Sequence, residues 1–223
     1  MKPALRRFGR GQHHVVVVDE FTGNLDAIVE IAAALAPFPQ NNDSFFPGLR
    51  RYITAEDTAA FAYATGVLQA AGPFVGGAFG YDSYDWIEAS FSMVATPPDR
   101  LTPQQRAPHF DSADPADLAI LHYLCDTEGT AFYRHRLTGI EQVDATNTDL
   151  FIAHASPAAL TARGYIHDSD RDYERIGHVE GVADRLVIYR GTMLHSGIIP
   201  PGMSFSEDPR EGRLTANIFV RGH

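Results

Sequence analysis

Gly212-Arg213-Leu214-Thr215-Ala216-Asn217-Ile218-Phe219-Val220 is the stretch that decides how this chain folds. Side chains of an extended strand alternate between its two faces, so Leu214, Ala216, Ile218 and Val220 share one side and Arg213, Thr215 and Asn217 the other. The apolar side belongs against a core. The polar side, turned into a small barrel, needs a ligand. Arginine suits a carboxylate, because its planar guanidinium offers two parallel charge-assisted hydrogen bonds that lysine cannot reproduce. Thr215 would add a hydroxyl donor beside it. The competing reading leaves Arg213 in solvent at a strand start, the commoner position for an arginine.

Working back from this strand, Gly, Pro, Thr and Asp break the sequence after Tyr81 into short segments rich in β-branched and aromatic residues. These predict strands from Glu88 to Ala95, Leu118 to Cys125, Thr130 to Arg136, Arg185 to Tyr189 and Leu214 to Val220. Residues 137–183 alternate less and read as an insertion, helical or irregular around the alanines of 153–162. Nearer the front, residues 13–19 predict a buried strand. Asn24 then caps a helix through residue 36, with Leu25, Ile28, Val29, Ala32 and Leu35 at helical spacing and Pro37 and Pro39 as its stop. Thr54 and Asp57 form a capping-box pattern before a second helix from Ala55 to Ala71, closed by Gly72 and Pro73. Gly76-Gly77-Ala78-Phe79-Gly80 lacks the lysine of a phosphate-binding loop and reads as a turn. Helices first and strands afterwards give an α+β chain. With no repeat, heptad or linker, a single domain over 1–223 is expected, its N-terminal strand and supporting helices in 1–87 and its main β-structure in 88–221.

The chain has 223 residues with 18 Lys+Arg against 28 Asp+Glu, a net charge of −10 that argues against nonspecific binding to nucleic acid or anionic membrane. The longest aliphatic run, Val15 to Val18, is far short of the roughly 20 apolar residues that span a bilayer. It is also too short for the core of a signal peptide. A lone Cys125 makes neither an intramolecular disulfide nor a multi-cysteine zinc site, so a reducing cytoplasm is expected and any metal must rest on His and carboxylate ligands.

Ten histidines are available, and His109-Phe110-Asp111 is the most informative arrangement. In extended chain His109 and Asp111 point to one face and can reach one metal while Phe110 turns into the packing. His195, just beyond the β-branched run that ends at Gly191, would be the third ligand. Two histidines and one carboxylate on a face leave three octahedral positions open, as non-haem Fe(II) requires to bind a co-substrate and dioxygen together. The bland alternatives are a polar loop at 109–111 and a strand-end histidine hydrogen-bonded to backbone at 195. His122 and His135 read as core or ligand-orienting groups on strands, Cys125 as a small buried hydrophobe, and Tyr81, Tyr84, Asp85 and Trp86 as core or the mouth of a pocket.

In this order, His109-x-Asp111, His195 and Arg213-x-Thr215 on the final strand, the sequence resembles the Fe(II)- and 2-oxoglutarate-dependent oxygenases, nearest the prolyl-4-hydroxylase-like branch. The likeness covers roughly residues 88–221. Phe46-Pro47-Gly48-Leu49-Arg50, His122-Tyr123-Leu124 and Arg185-Leu186-Val187-Ile188-Tyr189-Arg190-Gly191 are similar to a bacterial branch of unassigned function. The resemblance implies a double-stranded β-helix, a jelly-roll or cupin-like barrel, with His109, Asp111 and His195 as iron ligands and Arg213 as anchor of the 2-oxoglutarate carboxylate. Tyr123 resembles the tyrosine that joins that anchor, and Gly129-Thr130-Ala131-Phe132 the turn leading into the next strand. The implied activity is hydroxylation of a C–H bond in a small molecule, amino acid or peptide side chain, with Fe(II), 2-oxoglutarate and dioxygen. The alternatives are a non-catalytic cupin-like binding module and a zinc-dependent hydrolase or isomerase on the same barrel. A homodimer, common for such proteins, is left open.

Overall fold

The computed structural model describes residues 2–40 and 45–223. Strands β1 (Lys2–Phe8) and β2 (His13–Asp19) are followed by helix α1 (Leu25–Ala33), β3 (Gly48–Tyr52) and α2 (Thr58–Phe79). Then come β4 (Tyr84–Val94), β5 (Asp117–Tyr123), β6 (Thr127–His135), α3 (Thr148–Thr161), β7 (Tyr173–Gly181), β8 (Leu186–Arg190), β9 (His195–Gly197) and β10 (Leu214–Gly222). Seven strands form one sheet in the order β1-β2-β8-β5-β10-β4-β3, and three form a second in the order β7-β6-β9. Every pairing is antiparallel. Mostly antiparallel sheets with few helices fit a jelly-roll core.

Alternation in β10 divides the molecule as its sequence does. Leu214, Ala216, Ile218 and Val220 pack under the helices, with Leu118 and Ile120 of β5, Leu186 and Ile188 of β8, and the buried face of α2. On the other side of the same sheet, Val15, Val17, Leu121, Tyr123 and Tyr189 meet Phe132 and Val179 of the small sheet. The valine run of β2 is therefore buried on both faces, which explains why it shows no alternation.

Helix α2 outruns its expected end. It continues through Pro73 and the glycines to Phe79 and ends on Gly80, whose φ of 78° is the left-handed cap conformation. Proline inside a helix costs about 3 kcal/mol. Val75 and Phe79 extend the stripe begun by Leu68 and Ala71 into the core, and burying two such side chains is worth about 3–6 kcal/mol. Packing outweighs propensity. At the other end the helix starts at Thr58, because Asp57 turns its carboxylate back to the Thr54 N–H (2.9 Å) and hydroxyl (3.1 Å) in a turn that precedes the helix.

The stretch 137–183 is not all insertion. It holds α3, around the expected alanines, but also β7, an outer strand of the small sheet. Nor does a structural seam fall at 87/88, since β1, β2 and β3 lie in the same sheet as β4 and β10. Gly129 lies within β6, at a shift in its register with β7, rather than in a turn before it. Its φ is 96°, and a Cβ there would collide with the Val179 carbonyl, so only glycine fits. Tyr81, Tyr84 and Trp86 pack against the helix-covered core and line no mouth of the cavity described below.

Candidate metal centre

β9 brings the two histidines together. The backbones of His109 and His195 exchange both hydrogen bonds, His109 N–H to the His195 carbonyl at 2.9 Å and the reverse at 2.8 Å, so the residues sit directly opposite each other. Asp111 is fixed on the turn after β8 by its N–H to the Gly191 carbonyl (2.8 Å). Phe110, between them, turns away and meets Phe151 edge-on at 5.9 Å. One donor atom each from His109, Asp111 and His195 lies within 4.8 Å of the others. His195 Nε2 stands 3.5 Å from Asp111 Oδ2, and His109 Nε2 stands 3.8 Å from Oδ1.

The tautomer of His195 follows from its surroundings. A carbonyl can only accept, so Nδ1, 2.8 Å from the Met193 carbonyl, carries the proton and Nε2 is left with a lone pair facing the cluster. Tyr189 packs edge-on to the ring at 4.9 Å and holds its plane. His109 and Asp111 line the cavity with side chains 44% and 18% exposed. Burial, then His195 and then Arg50, push the proton affinity of His109 well below the ordinary histidine range. Burial raises the Asp111 carboxyl, against the pull of His195 and Arg50. Two imidazoles and a carboxylate with donor atoms converging on one point form a set suited to a divalent cation. The donor set fits the group that the sequence implies.

All three residues line a cleft of about 820 Å³, measured out to its open mouth, together with Arg213, Thr215, Asn217 and Thr130. Arg213 is buried. One terminal nitrogen donates to the Gly129 carbonyl at 3.2 Å, and Nε has no partner. Among the described residues, no carboxylate comes within ion-pair distance of it, and burial lowers its pKa. A guanidinium has five donors, and leaving them dry costs free energy unless a ligand takes them up. Thr215 does line the cleft, yet its hydroxyl donates to the Ser92 carbonyl (3.4 Å) and accepts from Asn217 (3.3 Å) instead of standing ready for a ligand. Tyr123 stays behind the wall: fully buried, it pairs its hydroxyl with that of Thr130 at 2.6 Å, and Thr130 is the group that reaches the cleft.

His122 and His135 serve the fold. His122 donates Nε2–H to Asp184 (3.0 Å) and accepts the Tyr63 hydroxyl at Nδ1 (2.7 Å), and burial lowers its pKa against the pull of Asp184. His135 meets the Thr138 hydroxyl at 2.9 Å. Cys125 contacts the Leu214 carbonyl, and burial raises its thiol pKa, so it is no activated nucleophile. Sequence reasoning missed Tyr189, Thr130 and Arg50 as cleft residues. For Tyr189 and Thr130 the signal was present as strand alternation facing the same interior as Thr215. Arg50 gave none beyond its place in Phe46–Arg50.

The sequence model of a family described as "Family of unknown function (DUF6445)" matches residues 1–220. No curated protein matches the sequence. Among solved structures, HygX from Streptomyces hygroscopicus with iron bound is 9% identical at a TM-score of 0.55, covering 94% of this chain and 83% of that one. The same protein with nickel and 2-oxoglutarate bound is 8% identical at 0.55, covering 93% and 82%. A prolyl hydroxylase from Trichoplax adhaerens, in complex with a peptide fragment of the hypoxia inducible factor oxygen degradation domain, is 11% identical at 0.50, covering 93% and 82%. At such identities the likeness is one of fold: the chain shares the fold of HygX and of that prolyl hydroxylase.

Proposed function

The chain belongs to the DUF6445 family, and for it we propose an Fe(II)- and 2-oxoglutarate-dependent dioxygenase that hydroxylates a C–H bond of a small molecule, amino acid or peptide side chain. In this reading the two sheets are the halves of a double-stranded β-helix whose open end holds the site. The observation that carries it is one cleft containing both a His/Asp/His cluster and a buried guanidinium without a carboxylate partner. A binding module or a zinc hydrolase has no need of the second feature.

His109, Asp111 and His195 would hold the iron. When bound, the iron and 2-oxoglutarate supply the activation of dioxygen, chemistry that no side chain provides. The remaining work falls to the chain. His195 stays in one tautomer because the Met193 carbonyl holds Nδ1–H, and its donor nitrogen is thereby aimed. Arg213 pairs with the distal carboxylate of the co-substrate through donors that the fold leaves unused, with Thr130 beside it and Tyr123 fixing the Thr130 hydroxyl. Tyr189 and Phe219 close the inner wall and keep bulk water from the face that receives the substrate.

Anaerobic titration of the metal-free protein with Fe(II) and then 2-oxoglutarate tests the reading through the weak visible charge-transfer band of a chelated oxo-acid. The band should appear in the wild type and vanish in His109→Ala. In Arg213→Ala it should require much more 2-oxoglutarate while iron binding is spared. Iron bound without a band would sink the co-substrate assignment, and no iron binding would sink the enzyme.

A further inference from the structure

A second guanidinium lines the same cleft, that of Arg50 on β3. Arg50 lies opposite Ser92 of β4, and Ser92 lies opposite Thr215 of β10, so all three share one row. Two strand spacings put the Arg50 backbone about 10 Å across the sheet from β10. Arg213 sits two residues along from Thr215. The two arginines therefore enter the cleft from the same sheet face, two strands apart.

Arg50 is held in orientation but little used. Its Nε donates to Ser92 Oγ at 3.2 Å and its guanidinium stacks 4.9 Å from the Phe46 ring centre. Among the described residues its one ion-pair neighbour is Glu88 at 3.9 Å, beyond hydrogen-bond distance and on a partly exposed side chain, which is worth little. Stacking on one face leaves the in-plane terminal donors pointing outward, the arrangement that receives a planar carboxylate. Arg50 lines the same cleft as His109, Asp111 and His195, so a group bound there shares the cleft with the metal cluster.

Charge balance selects the class of ligand. Among the charges that line the cleft, a divalent ion, Asp111, a dianionic co-substrate and Arg213 cancel, and Arg50, whose neighbour Glu88 is not part of the lining, leaves one positive charge over. Resting on the oxygenase reading above, we propose that Arg50 binds the carboxylate of a small organic-acid substrate, so that the cleft takes two anions at once. A monoanion restores neutrality where a phosphate dianion overshoots. Phe45, Phe46, Tyr165 and Ile199 wall the mouth and suit an apolar or aromatic body behind that carboxylate.

The test uses a set of aromatic and aliphatic carboxylic acids, each paired with its primary amide, with phenyl phosphate added. Their affinities are measured by calorimetry on the protein loaded with redox-inert Zn(II) and saturating 2-oxoglutarate, and again with neither. Wild type should prefer at least one acid to its amide by about tenfold or more, equal to about 1.4 kcal/mol. Arg50→Gln should erase that preference, Arg50→Lys should keep part of it, and 2-oxoglutarate affinity should change less than about twofold in either. No acid preference in wild type, or one that survives in Arg50→Gln, overturns the proposal. Tighter binding of phenyl phosphate overturns the carboxylate class. A loss of 2-oxoglutarate affinity in Arg50→Gln makes Arg50 the co-substrate anchor instead. Failure of the oxygenase reading shows separately, as absent 2-oxoglutarate binding in wild type, while the acid preference is still read on the unloaded protein.

Discussion

Two sets of charges in this protein differ in how fully they are satisfied. Glu141 accepts the N–H groups of Arg10 (3.0 Å) and Gly11 (3.1 Å), a ring nitrogen of His13 (2.9 Å) and a guanidinium nitrogen of Arg134 (2.8 Å). Asp184 accepts the Thr22 hydroxyl (2.6 Å), the N–H groups of Thr22 (2.9 Å) and Gly23 (2.7 Å), and His122 Nε2 (3.0 Å). Burial pushes both carboxyls up, and these bonds more than offset it, leaving both pKa values lowered. At the cleft the balance reverses. Burial prevails at Asp111 and raises it, and Arg213 keeps an unpartnered Nε. The saturated charges lie within the fold; the unsaturated ones line the cleft.

Substitution at Asp111 breaks that contrast most severely. Asp111→Ala should abolish metal binding and turnover, while the metal-free protein melts no lower than wild type, because a carboxyl that burial disfavours has been removed. Metal content and thermal unfolding report the two effects. Asp184→Ala should do the opposite, retaining the site but costing about 3 kcal/mol in denaturant unfolding, since it strands the donors of Thr22, Gly23 and His122. A stability loss at Asp111 equal to that at Asp184 would erase the distinction.

Acid sharpens the same comparison. A carboxyl whose native pKa is lowered contributes stability that is complete above its unfolded value, near 4, and is lost as the pH falls through the native one. Asp184 and Glu141 both lie in that class, so stability should drop steadily below about pH 4. Asp184→Asn should flatten that acid limb when unfolding free energy is followed from pH 5 downward. An unchanged limb would mean that the Asp184 bonds do not favour its ionised form.

What the sequence made legible is the part governed by local alternation. In β10 the polar and apolar faces lie as read, and His109, Asp111 and His195 converge with Arg213 on one cleft. The strands that escaped notice lack that pattern for identifiable reasons. In β3, Arg50 faces the cleft while Arg51 turns the other way to Asp57 at 2.6 Å, so two identical residues hide the alternation between them. β1 is an exposed edge strand, and β9 is only three residues long. The resemblance puts Tyr123 at the anchor, whereas its hydroxyl is paired with that of Thr130, the residue that lines the cleft. Arg50 owes its position to a pairing with β4 across about forty residues of chain, which no local pattern announces.

The smallest expected effect concerns the end of α2, where Pro73 suggests a stop and tertiary packing carries the helix on. Gly80 closes it with its N–H on the Gly76 carbonyl (3.0 Å) and a φ of 78°. A Cβ at Gly80 would meet no heavy atom within 4 Å, so Gly80→Ala tests backbone conformation alone. It should cost about 1 kcal/mol, the price of a left-handed alanine, and leave 2-oxoglutarate affinity untouched because the cap lies on the helix-covered side of the sheet. Denaturant midpoints at constant m-value measure it. A loss of several kcal/mol would mean that the last turn of α2, with Val75 and Phe79, unravels with its cap and that the buried stripe depends on Gly80. No loss would mean that the helix already frays at Pro73 in solution, as the sequence suggests, and that Phe79 contributes little to the core.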